Sequence, residues 1–303
     1  MAQPFIGSEA LAAGRLTPYQ LRSRFVAVHP DVYLPRGVQV NAALRAKAAW
    51  LWSRRRGVVA GSSAATLHGA RWVDDHAPAV LLYDYRRPPP GVVTWSDHLG
   101  DDEVQTVAGI PVTTAERTAL DLACRLPTET AVAQIDALAN ATKLVPAHAA
   151  LLAERHPGRR GIRRARVSLG LVDAGAESPR ESWLRLLLIR AGFPRPQTQI
   201  PVYDRYGQLV AVVDVGWEEI RVGVDYEGEH HRLSSNRFNR DIRRQEALTE
   251  LGWVDVRVTV EDCEGGIVAR VARAWERQTG QPAPNVHALR NSRDFFAARA
   301  RSA

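Results

Sequence analysis

The run Val212-Val213-Asp214-Val215-Gly216-Trp217, followed by Glu218-Glu219-Ile220 and then Arg221-Val222-Gly223-Val224-Asp225-Tyr226-Glu227-Gly228-Glu229-His230-His231, decides how the second half of this chain is read. Two apolar runs flank a polar break at Trp217-Glu218-Glu219, the pattern of a β-hairpin. Asp214, Asp225 and Glu227 interrupt runs that a buried strand would fill with apolar side chains. Strand side chains alternate faces with period two, so Asp225 and Glu227 share a face. A turn of Glu218-Glu219 alone sets Asp214 opposite Gly223 and diagonal to Asp225. A turn from Glu218 to Arg221 sets Asp214 opposite Asp225. Either register turns the three carboxylates the same way, with neighbours roughly 5–8 Å apart. Anions gathered like this repel unless a cation sits among them, and oxygen ligands at that spacing suit Mg²⁺ or Mn²⁺. Solvation, or pairing with the many arginines, is the plainer reading of the same carboxylates.

Working outward, the order of elements around the hairpin sets the fold class. Ser178-Pro179-Arg180-Glu181 reads as an N-cap, a first-turn proline and a capping-box glutamate opening a helix that Gly192 ends. Strands are expected near Gln199–Tyr203, Leu209–Val215 and Ile220–Tyr226. A helix follows over Arg237–Leu251, a strand over Trp253–Val260 and a last helix from Ile267 to Gln278. The order α-β-β-β-α-β-α predicts an α/β domain, a mixed sheet flanked by helices, over 176–280.

The first half reads as a smaller α+β domain, 1–145. Thr17 caps a short helix with Pro18 in its first turn, and Phe25–Val28 and Asp31–Leu34 form a hairpin, together an abbreviated winged helix. An amphipathic helix is expected over 41–56, ending in Arg54-Arg55-Arg56, with another over Ser62–Gly69 in which His68 is structural. Further helices are expected at Ala115–Arg125 and near Thr130–Ala141. Residues 146–175 read as a basic helical linker carrying Arg155, Arg159, Arg160, Arg163, Arg164 and Arg166 with no acid interrupting them from 155 to 166. The tail, 281–303, reads as an appendage.

Composition narrows the partners. The chain has 303 residues, 45% hydrophobic, with a formal net charge of +7 that favours a polyanion such as DNA. Arginine supplies nearly all of it, since Lys47 and Lys143 are the only lysines. Arginine suits bidentate phosphate contacts, and such a bias is also the imprint of a GC-rich genome. Cys124 and Cys263 stand far apart, which argues against a disulfide framework or a zinc site. No signal-peptide core and no span of roughly 18 apolar residues is evident, so a cytoplasmic setting is expected and a membrane partner is not.

Two resemblances sharpen the expectation. The segment from Ala176 to Gln278 resembles the restriction-endonuclease-like PD-(D/E)xK superfamily, nearest to the very-short-patch-repair endonucleases and their relatives. The carrying residues are Asp214, Asp225-Tyr226-Glu227-Gly228-Glu229-His230-His231, Asn239-Arg240-Asp241-Ile242-Arg243-Arg244 and Leu248–Trp253 with Val256-Arg257-Val258. The resemblance implies Asp214 as principal metal ligand, completed by Asp225 and Glu227. It makes Glu181 an outer acid and gives His230 or His231 the proton. Arg232, Arg240 and Arg244, with Arg160, Arg163 and Arg164, would grip phosphate. The chain departs from the pattern in two respects: the third-strand lysine is replaced by Glu227, with no lysine after Lys143, and Asp225-Tyr226-Glu227-Gly228 stands where relatives more often read Glu-Tyr-Asp-Gly.

The segment from Leu11 to Thr142 resembles AbiEi-type antitoxins, through Ala60–Gly69 and Gly109-Ile110-Pro111-Val112-Thr113-Thr114-Ala115-Glu116-Arg117-Thr118-Ala119-Leu120-Asp121. Those motifs are expected to hold the fold rather than do chemistry. Two functions follow: a metal-dependent DNA endonuclease or nickase in repair or phage defence, or a non-catalytic DNA-binding, antitoxin-like regulator. A cognate toxin or repair protein is an expected partner.

Overall fold

A computed structural model describes residues 3–227, 235–283 and 286, and gives the backbone alone for 235–241. The chain divides into two compact units, Met1–Val172 and Asp173–Ala303. Both are mixed α/β.

The first unit opens with β1 (Phe5–Ile6) and α1 (Gly7–Ala12), which the sequence reading did not anticipate. Next come α2 (Pro18–Arg24), β2 (Phe25–His29) and β3 (Val32–Pro35), the expected short helix and hairpin. Thr17 and Gln20 complete a reciprocal capping box on α2. The strands form a three-stranded sheet in the order β1-β3-β2. The helix expected over 41–56 is shorter, α3 (Ala42–Trp52), capped by Asn41. It stops because Arg54 and Arg55 take left-handed φ values of 57° and 63°. Arg54 then pairs with Asp31 at 2.8 Å, and Arg55 grips both oxygens of Glu9 at 2.6 and 2.7 Å.

The rest of the first unit is built from β4 (Val58–Val59), α4 (Gly61–Leu67), β5 (Ala79–Leu82), β6 (Val92–Trp95), β7 (Val104–Val107) and β8 (Ile110–Thr113), followed by α5 (Ala115–Arg125), α6 (Thr128–Thr142), α7 (Pro146–Glu154) and α8 (Ile162–Gly170). Its mixed sheet runs β6-β5-β4-β8-β7. The last two helices, drawn from the stretch read as a linker, pack on α5 within this unit. Gly161 permits that contact: its φ is 86°, and a Cβ there would come within 2.2 Å of the Cys124 carbonyl oxygen.

The second unit follows the expected order: α9 (Pro179–Ala191), β9 (Gln197–Tyr203), β10 (Leu209–Trp217), β11 (Val222–Tyr226), α10 (Ser235–Glu250), β12 (Val254–Val258) and α11 (Glu264–Thr279). The sheet is β12-β11-β10-β9, parallel only between β11 and β12. One face packs Val215, Trp217, Val222 and Val224 against Leu184, Leu187, Leu188, Ile267 and Val271. The other packs Ile200, Ala211 and Val213 against Leu248 and Trp253. Val213 and Val215 therefore join different clusters although they are two residues apart. The strand's alternation breaks between them, at Asp214, across from Gln199 with its left-handed φ of 50°.

Candidate functional site

The β10–β11 pairing is Val215 with Val224, Gly216 with Gly223 and Trp217 with Val222. The turn is therefore Glu218 to Arg221, with Arg221 left-handed, and Asp214 and Asp225 are the next residues past the last ladder pair. Backbone pairing stops there and the two carboxylates take it over. Asp225 Oδ1 accepts the Asp214 N–H at 2.8 Å, and Asp214 Oδ2 accepts the Tyr226 N–H at 2.9 Å. Each side chain satisfies a strand donor that would otherwise lose its partner.

Asp225 is buried, and its second oxygen takes a short hydrogen bond from Arg244 of α10. Arg244 also donates to the Val212 carbonyl at 3.0 Å and lies 3.6 Å from Asp255 on β12. Asp255 in turn lies 3.4 Å from Arg257, whose guanidinium reaches Glu227 at 2.7 Å. The result is a row, Asp214, Asp225, Arg244, Asp255, Arg257 and Glu227, in which arginines alternate with acids after the first pair. Burial, then the charge of Asp225, push the Asp214 carboxyl up to about 7. Burial and Asp225 act the same way on Asp255, against Arg244 and Arg257, and carry it to about 7.

Asp214 and Asp225, expected together, are together. Glu227 is not gathered with them; it is spent on Arg257. Glu181, buried on α9, accepts from Gln199 Nε2 at 3.1 Å, from the Ser178 hydroxyl at 2.8 Å and from the Glu177 N–H at 2.8 Å. It thus reaches one residue beyond the N-cap that a capping box would serve, and its charge still raises Asp214. His230, His231 and Arg232, and the side chain of Arg240, lie outside the described residues, as does most of the tail. In the first unit Arg164 donates to the Cys124 carbonyl, while Arg160 and Arg163 are exposed.

Asp255 was missed. It sits in Val254-Asp255-Val256-Arg257-Val258, where alternation with three valines looks like an ordinary half-solvated strand. The signal was the parallel register, Gly223 beside Asp255 and Asp225 beside Arg257, which no single run of residues displays.

The oxygen donors are of the class that holds Mg²⁺ or Mn²⁺, and Asp255 Oδ1 is buried without a partner. Yet the guanidinium of Arg244 occupies the space where a cation would meet Asp225 and Asp255. Among the described residues no three His, Cys, Asp or Glu side chains gather to hold a metal ion. As packed, these residues fit an arginine rather than a divalent cation.

The motif at Ala115–Asp121 is structural. Arg117, almost wholly buried, pairs with Glu103, with Asp121 at 2.9 Å and with the His98 carbonyl at 3.0 Å. Arg159 ties Asp121 to Asp97, and His156 meets Glu103 at 2.8 Å. His68 is structural too, its Nε2 at 2.7 Å from the Thr113 carbonyl.

Residues 57–171 match the AbiEi antitoxin C-terminal domain family. That segment begins beside β4 and ends just past α8, so the matched residues include the helices that the sequence reading sets apart as a linker. Two uncharacterized proteins of Mycobacterium tuberculosis, from two strains, are each 33% identical over 177 residues, which is 57% of this chain and 65% of theirs. The chain thus spans just under two thirds of the length of these relatives. No solved structure matches. Among the described residues no helix is long and apolar enough to cross a membrane.

Proposed function

We propose that this chain is a non-catalytic, antitoxin-like DNA-binding regulator that acts with a cognate toxin, its second unit a restriction-endonuclease-like scaffold without hydrolytic activity. The observation that carries this reading is the match of residues 57–171 to an antitoxin domain. Two features support it. The acid cluster is closed by Arg244 rather than arranged around a cation. The unit also lacks the lysine that would activate water, since none follows Lys143. The order α9-β9-β10-β11-α10-β12-α11 is in keeping with the nuclease-like scaffold, but order alone does not supply activity.

The test places the full chain with supercoiled plasmid and with labelled duplex, in Mg²⁺, in Mn²⁺ and in chelator, beside Asp214→Ala. Duplex binding that is unchanged by chelator, with the plasmid left intact, is the expected result. Metal-dependent nicking that disappears in Asp214→Ala would overturn the proposal and establish the nuclease.

A further inference from the structure

A second surface, within the first unit, carries chemistry that the antitoxin reading does not use. Where β4 begins and β5 ends, Val58 pairs with Leu82, so the chain entering β4 runs beside the chain leaving β5. A Cβ on Gly57 would stand 3.3 Å from the Cβ of Tyr83, which confirms the closeness. The rings of Tyr83 and Tyr85 are parallel, 5.9 Å between centroids, and Trp52 meets both edge-on at 6.1 and 5.3 Å. The platform is anchored: Tyr83 N–H donates to the Trp95 carbonyl at 3.0 Å, and the Thr94 hydroxyl to the Tyr85 carbonyl at 2.6 Å.

The core explains only part of this cluster. Trp52 and Tyr83 pack against the apolar interior of the sheet, whereas Tyr85 does not and is 46% exposed. Arg86 and Arg87 follow it directly in the chain, and Arg56 lies two residues before β4, where that strand runs beside the chain leaving β5; all three are exposed, none with an acidic partner among the described residues. Their neighbours differ: Arg54 and Arg55 are consumed by Asp31 and Glu9. The one acid in the strip, Asp84, accepts from the Ser96 hydroxyl at 2.9 Å. Pro88-Pro89-Pro90 fixes φ immediately after the two arginines and disfavours helical backbone at Arg87.

We propose that this face, with Tyr85 at its centre and Arg56, Arg86 and Arg87 at its rim, binds an unpaired nucleic-acid strand. An open aromatic ring takes a base only when that base is unstacked from its neighbours, and unpaired cations beside it take the phosphates. A duplex offers the same phosphates but hides the base faces, so the ring discriminates between the two.

The test is fluorescence anisotropy of the full chain with a labelled oligothymidylate of about 12 nucleotides, within the usual span of single-strand sites. Tyr85→Ala weakens binding roughly tenfold, the loss of one stacked base, while Tyr85→Phe keeps it. The double variant Arg86→Ala, Arg87→Ala makes the logarithmic salt dependence shallower by about 0.7 per lost phosphate contact. Circular dichroism verifies that each variant folds, as expected for exposed positions. Wild-type affinity in Tyr85→Ala, or a duplex of equal length that competes as well as the single strand, would overturn the proposal.

Discussion

Two arginines, Arg117 and Arg244, each bridge buried acids and carry different burdens. Arg117 is about 1% exposed and is held by Glu103, Asp121 and the His98 carbonyl. Its removal leaves two carboxylates buried without their cation, a loss that typically costs about 3–5 kcal/mol. Arg117→Ala is therefore expected to unfold the first unit at a markedly lower urea concentration, and an unchanged midpoint would show that the network is dispensable. Arg244 is only partly buried, and burial and the acids around it act on it in opposite directions. Arg244→Ala should leave Asp214, Asp225 and Asp255 repelling one another across an open space. Calorimetry with Mn²⁺ is expected to show no binding by the native chain and measurable binding by this variant, because the metal then has no guanidinium to displace. Equal titrations for both proteins would mean that Arg244 does not guard the site.

At the scale of elements, the β10–β11 hairpin places two carboxyl side chains where a strand ladder should continue. The carboxyl of Asp214 rises from 3.8 to about 7, so the folded chain holds a proton that the unfolded chain releases at lower pH. Stability conferred by that proton is lost as pH climbs from about 4 to about 7 and levels off above it. Asp214→Asn keeps an oxygen for the Tyr226 N–H but cannot ionise. It is expected to stabilise the second unit at pH 8 by about 2 kcal/mol and to have little effect at pH 4, read from thermal unfolding at the two pH values. An equal shift at both would remove ionisation as the cause. The hairpin also shows what the sequence could convey. Ser178, Pro179 and Gly192 fixed both ends of α9 because capping is local chemistry, and Asp214 and Asp225 stood out because they interrupt apolar runs. Two things were not legible. Glu227 was placed with the other acids by strict alternation, but the destination of its side chain depends on Arg257 from a strand joined only through the parallel register. The triplet Arg54–Arg56 looked like a helix terminus, yet it turns away because Asp31, between β2 and β3, and Glu9 of α1 hold two of its members.

For the whole molecule, the two units respond to pH in opposite senses. In the first, burial depresses the His29 imidazole below 6.5, so protonation as pH falls favours the unfolded chain. Burial raises Asp97 and Glu103, but hydrogen bonds from Arg125 to the first and from His156 and Arg117 to the second hold both below the ordinary carboxylate range. Their contribution is present above about pH 4.5 and is lost as pH falls through their lowered values. Stability of the first unit therefore rises with pH. In the second, Asp214 and Asp255, both carried to about 7, make stability fall over the same range. One melting temperature cannot describe such a chain, because two units with opposite slopes need not unfold together. Hydrogen exchange at pH 5 and pH 8, corrected for the intrinsic effect of pH on exchange, separates them by peptide. Protection of α5 is expected to increase from pH 5 to pH 8 while that of β11 and β12 decreases. A common direction in both units would contradict the assignment of the Asp214 and Asp255 carboxyls as the groups that set the second unit's response. Because the antitoxin match lies in the first unit and the acid cluster in the second, the same experiment run with duplex bound also reports which unit the duplex protects.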